Sequence, residues 1–264
     1  MEQEEEKTEF ARYFLQIAYD GTNYHGWQRQ PNAHSVQEEI EKALCKILRL
    51  PRVVTLGCGR TDTGVHASDF YLHFVPEIHD LNEEETLFRL QQVLPKDIAA
   101  YRLFKVNHRA HARFDANERS YEYRIAKRKD PFNRNYTYFY GKELNVEAMN
   151  NAAKLMLGSH DFACFCKSGG GQMTTICDVR EARWEEKEGL LIFHITADRF
   201  LRNMVRAVVG TLLQVGRGEM SLEEFQEVLN SKSRNAAGES VRPNGLFLTR
   251  VIYPESTFLS LIHI

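Results

Sequence analysis

The order of apolar and turn-forming segments predicts an α+β protein made of two β-α-β-β-α-β units, each an antiparallel sheet carrying its helices on one face. Three observations carry that expectation. Short apolar runs of strand length alternate with longer stretches of helical period. Helical patterns open on residues that cap helices, with a glutamate three positions on. The order of elements in the first 106 residues recurs, with insertions, in the remainder. This is the ferredoxin-like split βαβ arrangement, present twice.

The elements follow in order. Residues 12–19 (RYFLQIAY) read as a strand that ends at the Asp20-Gly21 turn. Ser35 opens a helix with Glu38 as its box partner, and Val36, Ile40, Ala43, Leu44, Ile47 and Leu48 share one face until Pro51. Strands are expected at 53–58 and 70–75, with a Gly-rich loop between them. A helix runs from Asn82, paired with Glu85, to about Val93, and strand 98–106 closes the first unit. The second unit begins with strands at 119–126 and 136–140. A helix at 145–157 ends at Gly158, a natural residue beyond a helix C-terminus. Strands 178–186 and 190–197 turn at Glu188-Gly189. A long apolar helix at 200–215, a short one capped by Ser221 with Glu224, and strand 246–253 complete it. The unit boundary is expected near 108–117, giving an acidic flexible tail at 1–10, a first unit at 11–110 that carries the Gly-rich loop, and a second at 111–264. The stretch 166–177, with Gly169-Gly170-Gly171, reads as a mobile loop.

The chain has 264 residues and a formal net charge of −2, so it is not basic overall. The charge is unevenly placed. Residues 1–10 hold five Glu and one Lys, whereas residues 102–134 hold ten Lys or Arg against four acids. That basic stretch interleaves with Tyr121, Tyr123 and Phe132, a pattern that suits a polyanion with flat bases; a solvated face would look the same on charge alone. Five cysteines without a CxxC pair fit a reducing cytosol and buried thiols rather than a disulfide framework or a zinc knuckle. No apolar stretch approaches the roughly 20 residues of a membrane span, and no signal peptide is expected.

The segment Gly57-Cys58-Gly59-Arg60-Thr61-Asp62-Thr63-Gly64-Val65-His66-Ala67 lies between two expected strands. Glycines let a backbone turn tightly and approach a ligand closely. The segment lacks the Gly-Lys-Ser/Thr of a phosphate loop and the helix start of a dinucleotide site. Read alone, it is also a glycine-rich hairpin whose Asp caps a turn. Arg206 stands among Met204, Val205, Ala207, Val208 and Val209, and a guanidinium in so apolar a helix needs a partner or an exit to water.

GRTDTGVHA resembles the active-site signature of the tRNA pseudouridine synthase A family, usually written GRTDAGVHA. Tyr24-His25-Gly26-Trp27-Gln28-Arg29-Gln30 with Ser35-Val36-Gln37 is similar to that family's first motif. His111-Ala112-Arg113-Phe114 with Tyr121-Glu122-Tyr123 is similar to its second, and Phe200-Leu201-Arg202-Asn203-Met204-Val205-Arg206 to its third. Gly245-Leu246-Phe247-Leu248 resembles its closing strand. These landmarks fall in family order from about residue 12 to residue 253. The resemblance implies the pseudouridine synthase fold, with its sheets meeting at a central active-site cleft. It implies isomerisation of uridine to pseudouridine in the anticodon stem-loop of tRNA (family positions 38–40), without cofactor or metal, by a cytoplasmic homodimer. It assigns Asp62 as the catalytic aspartate, Tyr121 as the tyrosine that stacks on a flipped base, and Arg206 as the basic partner of Asp62. Arg60, Gln28, Arg29, Arg113 and Arg119 are expected on the RNA.

Two departures stand out. Thr63 replaces the family's usual Ala, and Asp69-Phe70 stands where a Gly-Gln pair is common. The second lies just after the loop and bears on substrate range. A non-catalytic RNA-binding protein on the same scaffold would explain the fold but not a carboxylate at Asp62; a structural dimer without RNA would explain neither the basic balance of residues 102–134 nor the intact set of motifs.

Overall fold

The computed structural model describes residues 10–78, 80–167 and 173–258. The acidic residues 1–9 and residues 168–172 of the expected mobile loop lie outside them. The first half runs β1 (Arg12–Tyr19), α1 (Val36–Leu48), β2 (Thr55–Gly57), β3 (His66–Phe74), α2 (Glu83–Val93) and β4 (Ile98–Val106). The second half runs β5 (Glu118–Ala126), β6 (Tyr138–Phe139), α3 (Val146–Lys154), β7 (Gly158–Asp161), β8 (Ile176–Lys187), β9 (Leu190–Ala197), α4 (Met204–Gly216), α5 (Leu222–Ser231) and β10 (Leu246–Ile252).

The sheets do not stand apart. Among the described residues, a ten-stranded sheet has the order β4-β1-β3-β10-β5-β9-β8-β7, with β2 on β3 and β6 on β5. Its seam is the parallel pair β3–β10, in which Phe247 meets His66 and Leu248 meets Ala67. β10 pairs antiparallel with β5 on its other side, so the last strand of the second half lies in the middle of the sheet. Two sheets placed edge to edge each leave unpaired backbone groups, and joining them satisfies both rows.

Capping chemistry sets the helix starts. The Ser35 side chain accepts from the Glu38 amide, Asn82 from Glu85, and Ser221 from Glu224, with the last pair reciprocal. The apolar helix starts at Met204 rather than 200, because Asn203 sits in the left-handed region at φ 64 and interrupts helical geometry. Helix α3 ends at Lys154, short of the expected 157. Gly158, at φ 92, opens a polar strand, β7, that the sequence pattern did not suggest.

Two buried clusters lie along the sheet. The first holds Phe14, Ile17, Ile40, Phe70 and Leu72, and includes Leu248, Val251 and Tyr253 from the far end of the chain. The second holds Tyr123, Phe162, Phe193 and most of α4, and includes Val65 from the Gly-rich loop of the first half. Tyr121 packs against both. A fully buried apolar side chain contributes about 1.5–3 kcal/mol. The exchange of Val65 and of the β10 residues between clusters therefore ties the two halves together at the loop.

Candidate active site

The β2–β3 loop, residues 58–65, is held from several directions. The Tyr19 hydroxyl and Thr61 Oγ1 share a buried 2.9 Å hydrogen bond. The Trp27 amide donates to the Thr61 carbonyl, the Gly64 amide to the Tyr24 carbonyl, and the Val65 amide to the Asp62 carbonyl. Gly26 lies so close beneath the loop that a Cβ there would stand 2.3 Å from the Thr61 carbonyl oxygen, and its φ of 87 favours glycine in any case. Family-like residues Tyr24, Gly26 and Trp27 thus form the floor on which Asp62 stands.

Arg206 approaches from the other half. Its Nη1 donates to Asp62 Oδ2 at 3.3 Å, and its Nε donates to the Val241 carbonyl at 2.8 Å. The segment bearing Val241 crosses α4 at Gly210, where a Cβ would lie 1.7 Å from the Glu239 carbonyl oxygen. Any side chain at 210 would push this segment away and remove the carbonyl that orients the guanidinium. Side-chain exposures of 20% for Arg206 and 32% for Asp62 leave the pair open to a ligand. A pair this exposed adds about 1 kcal/mol or less to stability, so its placement is not explained by holding the fold together.

Tyr121, on β5, lies beside this pair. Its ring meets Phe200 edge-on with centroids 4.9 Å apart. Burial pushes its phenol well above the ordinary value; Cys58 and Asp62 add to the shift and Arg119 opposes it. The phenol therefore carries its proton at neutral pH. Asp62 and Arg206 are thus in contact, and Tyr121 feels the Asp62 charge, although the three lie far apart in the chain.

The remaining expected residues divide. Arg60 is exposed. Arg113 is also exposed, and burial of part of its side chain together with the guanidiniums of Arg60, Arg119 and Arg199 pushes its pKa below the ordinary value. These cations form a cluster on the Asp62 loop's flank. Arg119 is different from the expectation for an RNA contact. Its Nη1 donates to the carbonyls of Ala116 and Asp198, each at 2.8 Å, and its Nη2 to those of Cys58 at 3.0 Å and Arg113 at 2.5 Å. With four hydrogen bonds to backbone oxygens, Arg119 locks the start of the loop to β5 and to the end of β9. Arg29 turns to Glu41 of α1 at 3.4 Å, and with Gln28 it lines a separate groove beside Lys42 and Arg52.

Residues that sequence reasoning missed include Tyr19, Arg199 and the Val241 carbonyl. Arg199 immediately precedes the Phe200–Arg206 motif, which was a usable signal; a backbone carbonyl in a loop leaves none. The departure at Asp69-Phe70 is a packing feature. Asp69 accepts from the Gln16 side chain at 2.8 Å and from the Val251 amide at 2.9 Å, at the register shift of β10. Phe70 is fully buried against Trp27, with centroids 4.3 Å apart. Both brace the loop from behind.

The site thus sets a carboxylate against a guanidinium, with a neutral phenol and exposed arginines close by, and leaves the pair open to a ligand. A family model described as tRNA pseudouridine synthase matches residues 152–254. Proteins named tRNA pseudouridine synthase A from Bacteroides fragilis and Bacteroides thetaiotaomicron are 47% and 49% identical to this chain. The alignments cover 94% of it and 98% and 92% of those proteins. One from Clostridium acetobutylicum is 41% identical over 90% of the chain and 98% of its own length. This chain belongs to the tRNA pseudouridine synthase A family.

Proposed function

We propose that the chain isomerises uridine to pseudouridine in the anticodon stem-loop of tRNA, at family positions 38–40, with Asp62 as the nucleophile. The observation that carries the reading is the Asp62–Arg206 contact, 3.3 Å long, partly exposed and beside Tyr121. The reaction breaks the bond from the ribose C1′ to N1 and forms one from C1′ to C5. A proton leaves C5 and one is gained at N1, so the electron count does not change and no redox partner is required. The carboxylate supplies the nucleophile, and the guanidinium favours its ionised form in a closed site. A uracil drawn out of its helix stacks on Tyr121, whose phenol, neutral at working pH, is placed to pass a proton. Arg60 and Arg113 hold the phosphates that flank the base.

The repeated strand order supports reading the two halves as ferredoxin-like units, with the boundary near residue 110. In the first half the order is β4-β1-β3-β2, and in the second β10-β5-β9-β8; with the short β6 and β7 set aside and the rest numbered within each half, both are fourth, first, third, second. The working assembly is a cytoplasmic homodimer that places one tRNA across both subunits.

The test is tritium release from tRNA labelled at uracil C5. Wild-type protein is expected to release it and Asp62→Asn to release none while still binding tRNA. Release by the variant at the wild-type rate removes Asp62 from the chemistry, and failure of wild type on every tRNA removes the reading.

A further inference from the structure

The turn that follows β4 presents an aromatic ring to solvent in an unusual way. Phe114 is 76% exposed, yet the backbone beneath it is fixed. His111 Nδ1 accepts from the amides of Arg113 at 3.1 Å and Phe114 at 3.3 Å. Asp115 accepts from the His111 amide at 2.8 Å. Ala112 is buried; its amide donates to His73 Nδ1 and its carbonyl accepts from the Tyr253 hydroxyl at 2.6 Å. The Phe114 ring lies against the His111 ring with centroids 4.2 Å apart, and the Arg113 guanidinium sits 5.9 Å from its centre. The Arg113 carbonyl is one of the four held by Arg119, which also holds the Cys58 carbonyl at the start of the catalytic loop. An exposed phenyl ring on a mobile turn needs no explanation. A ring held by this many polar contacts, on a turn bolted to the catalytic loop, is presented.

The neighbourhood supplies the other half of a nucleotide site. The Arg113 guanidinium sits beside the Phe114 ring and is acted on by the like charges of Arg60, Arg119 and Arg199; among the described residues no carboxylate is one of the charges acting on it. Asp198, the nearest acid in sequence to Arg199, is turned to the amides of Asp178 and Arg199. Like charges gathered without a counter-charge are stabilised by an anion that arrives with the ligand.

We propose that Phe114 is a stacking platform for a second base, that of a nucleotide neighbouring the reacting uridine, whose phosphate is held by Arg60, Arg113 and Arg199. The proposal rests on the reading of the site as one that takes tRNA. The outer face of Phe114 carries the base, and the guanidiniums beside it carry the linkage. Such a platform tolerates any base, because every base offers a flat face. It fixes the strand on one side of the target while Tyr121 receives the target itself.

The experiment pairs a protein change with an RNA change. Binding of a full-length tRNA transcript is measured in an Asp62→Asn background with Phe114 intact, or with Phe114→Ala or Phe114→Trp. The transcript is used intact, or with a single abasic nucleotide moved stepwise through the anticodon arm. Base–aromatic stacking is worth about 1–3 kcal/mol, so Phe114→Ala is expected to weaken binding about tenfold and Phe114→Trp to restore it. At one abasic position the protein with Phe114 intact should lose about tenfold, and Phe114→Ala should lose almost nothing more. Equal abasic penalties with Phe114 intact and with Phe114→Ala at every position overturn the proposal, as does unchanged binding by Phe114→Ala. Because the ring is exposed, the variant is expected to fold normally, which its melting temperature checks. Pseudouridine formation by wild type alongside a null result at Phe114 would sink this proposal alone; absence of pseudouridine in every tRNA would sink the reading beneath it.

Discussion

The β2–β3 connection and the β8–β9 connection occupy matching places in the two halves. Each joins an antiparallel pair in which the later strand lies nearer the middle of the sheet. The second is a two-residue turn, Glu188-Gly189, with both residues at positive φ, the geometry that matches the twist of a hairpin. The first spans residues 58–65 and bears Asp62. The same scaffold position thus holds a bare turn in one half and the Asp62 loop in the other. The difference resides in the connection and in what braces it, which is how one architecture serves many functions. The halves also divide the labour. The first supplies the loop and its floor; the second supplies Arg206 and Tyr121.

That division can be broken from either side. The largest effect is expected from Arg206→Met, which keeps the apolar stem in α4 and deletes the charge facing Asp62. Single-turnover pseudouridine formation should fall on the order of 10²–10³-fold, as loss of one preorganised electrostatic contact does elsewhere, with tRNA binding changed far less. A rate within about threefold of wild type would mean that the second half does not share the chemistry.

Next comes Tyr19→Phe, which removes the buried hydroxyl that holds Thr61. An unpaired buried hydroxyl costs about 1–3 kcal/mol, and small displacements of a reacting group are expensive. The rate should drop about tenfold at saturating tRNA while KM stays within about twofold. A change confined to KM would show that the floor serves binding rather than placement of Asp62.

A third effect separates the first half's polar core from the chemistry. His73 is buried on β3, and burial, followed by the charges of His111 and Arg12, pushes its pKa down to about 3. The folded protein therefore takes up this proton less readily than the unfolded chain, whose histidine titrates near about 6.5. The stability that His73 contributes is complete above about pH 6.5 and declines as pH falls towards about 3. His73→Asn retains an acceptor for the Ala112 amide but cannot titrate. Its melting temperature should fall less steeply than that of wild type between about pH 6.5 and 4, a difference read directly by calorimetry. Parallel curves would assign the acid sensitivity of this window to other groups.

The smallest effect sharpens the contrast itself. Inserting four Gly/Ser residues between Glu188 and Gly189 lengthens the bare turn at little entropic cost. Activity should remain within about twofold of wild type. A collapse of activity would give the β8–β9 connection a role in the site that the comparison denies it.

Local signals in the sequence carried much of the fold. Strands 12–19, 98–106 and 190–197 stand in the structure at the bounds their apolar runs predict, and the caps at Ser35, Asn82 and Ser221 fix helix starts to the residue. What escaped was non-local or hidden in backbone conformation. The β3–β10 seam unites His66 with Phe247, from opposite ends of the chain, and nothing in either strand names the other. Gly-Ser-His-Asp of β7 has no apolar alternation to announce it. Asn203 looks like an ordinary helix residue until its φ is known. In the site, the convergence of Asp62, Tyr121 and Arg206 was legible because each sat in a recognisable motif. The use of Arg119 was not, since an arginine bound to four carbonyls and one awaiting a phosphate are the same letter.

The position of β10 has a consequence for synthesis. In chain order this strand follows the other nine strands of the sheet, yet it lies between β3 and β5. Until it arrives, each half exposes a raw strand edge, and the carbonyl of Val241 that steers Arg206 cannot be in place. A nascent chain can therefore complete the first half early, but it carries Asp62 without the cation that faces it. The site closes only when this strand docks, so a polypeptide that stops short of β10 would be inert and prone to stick to its neighbours through those open edges.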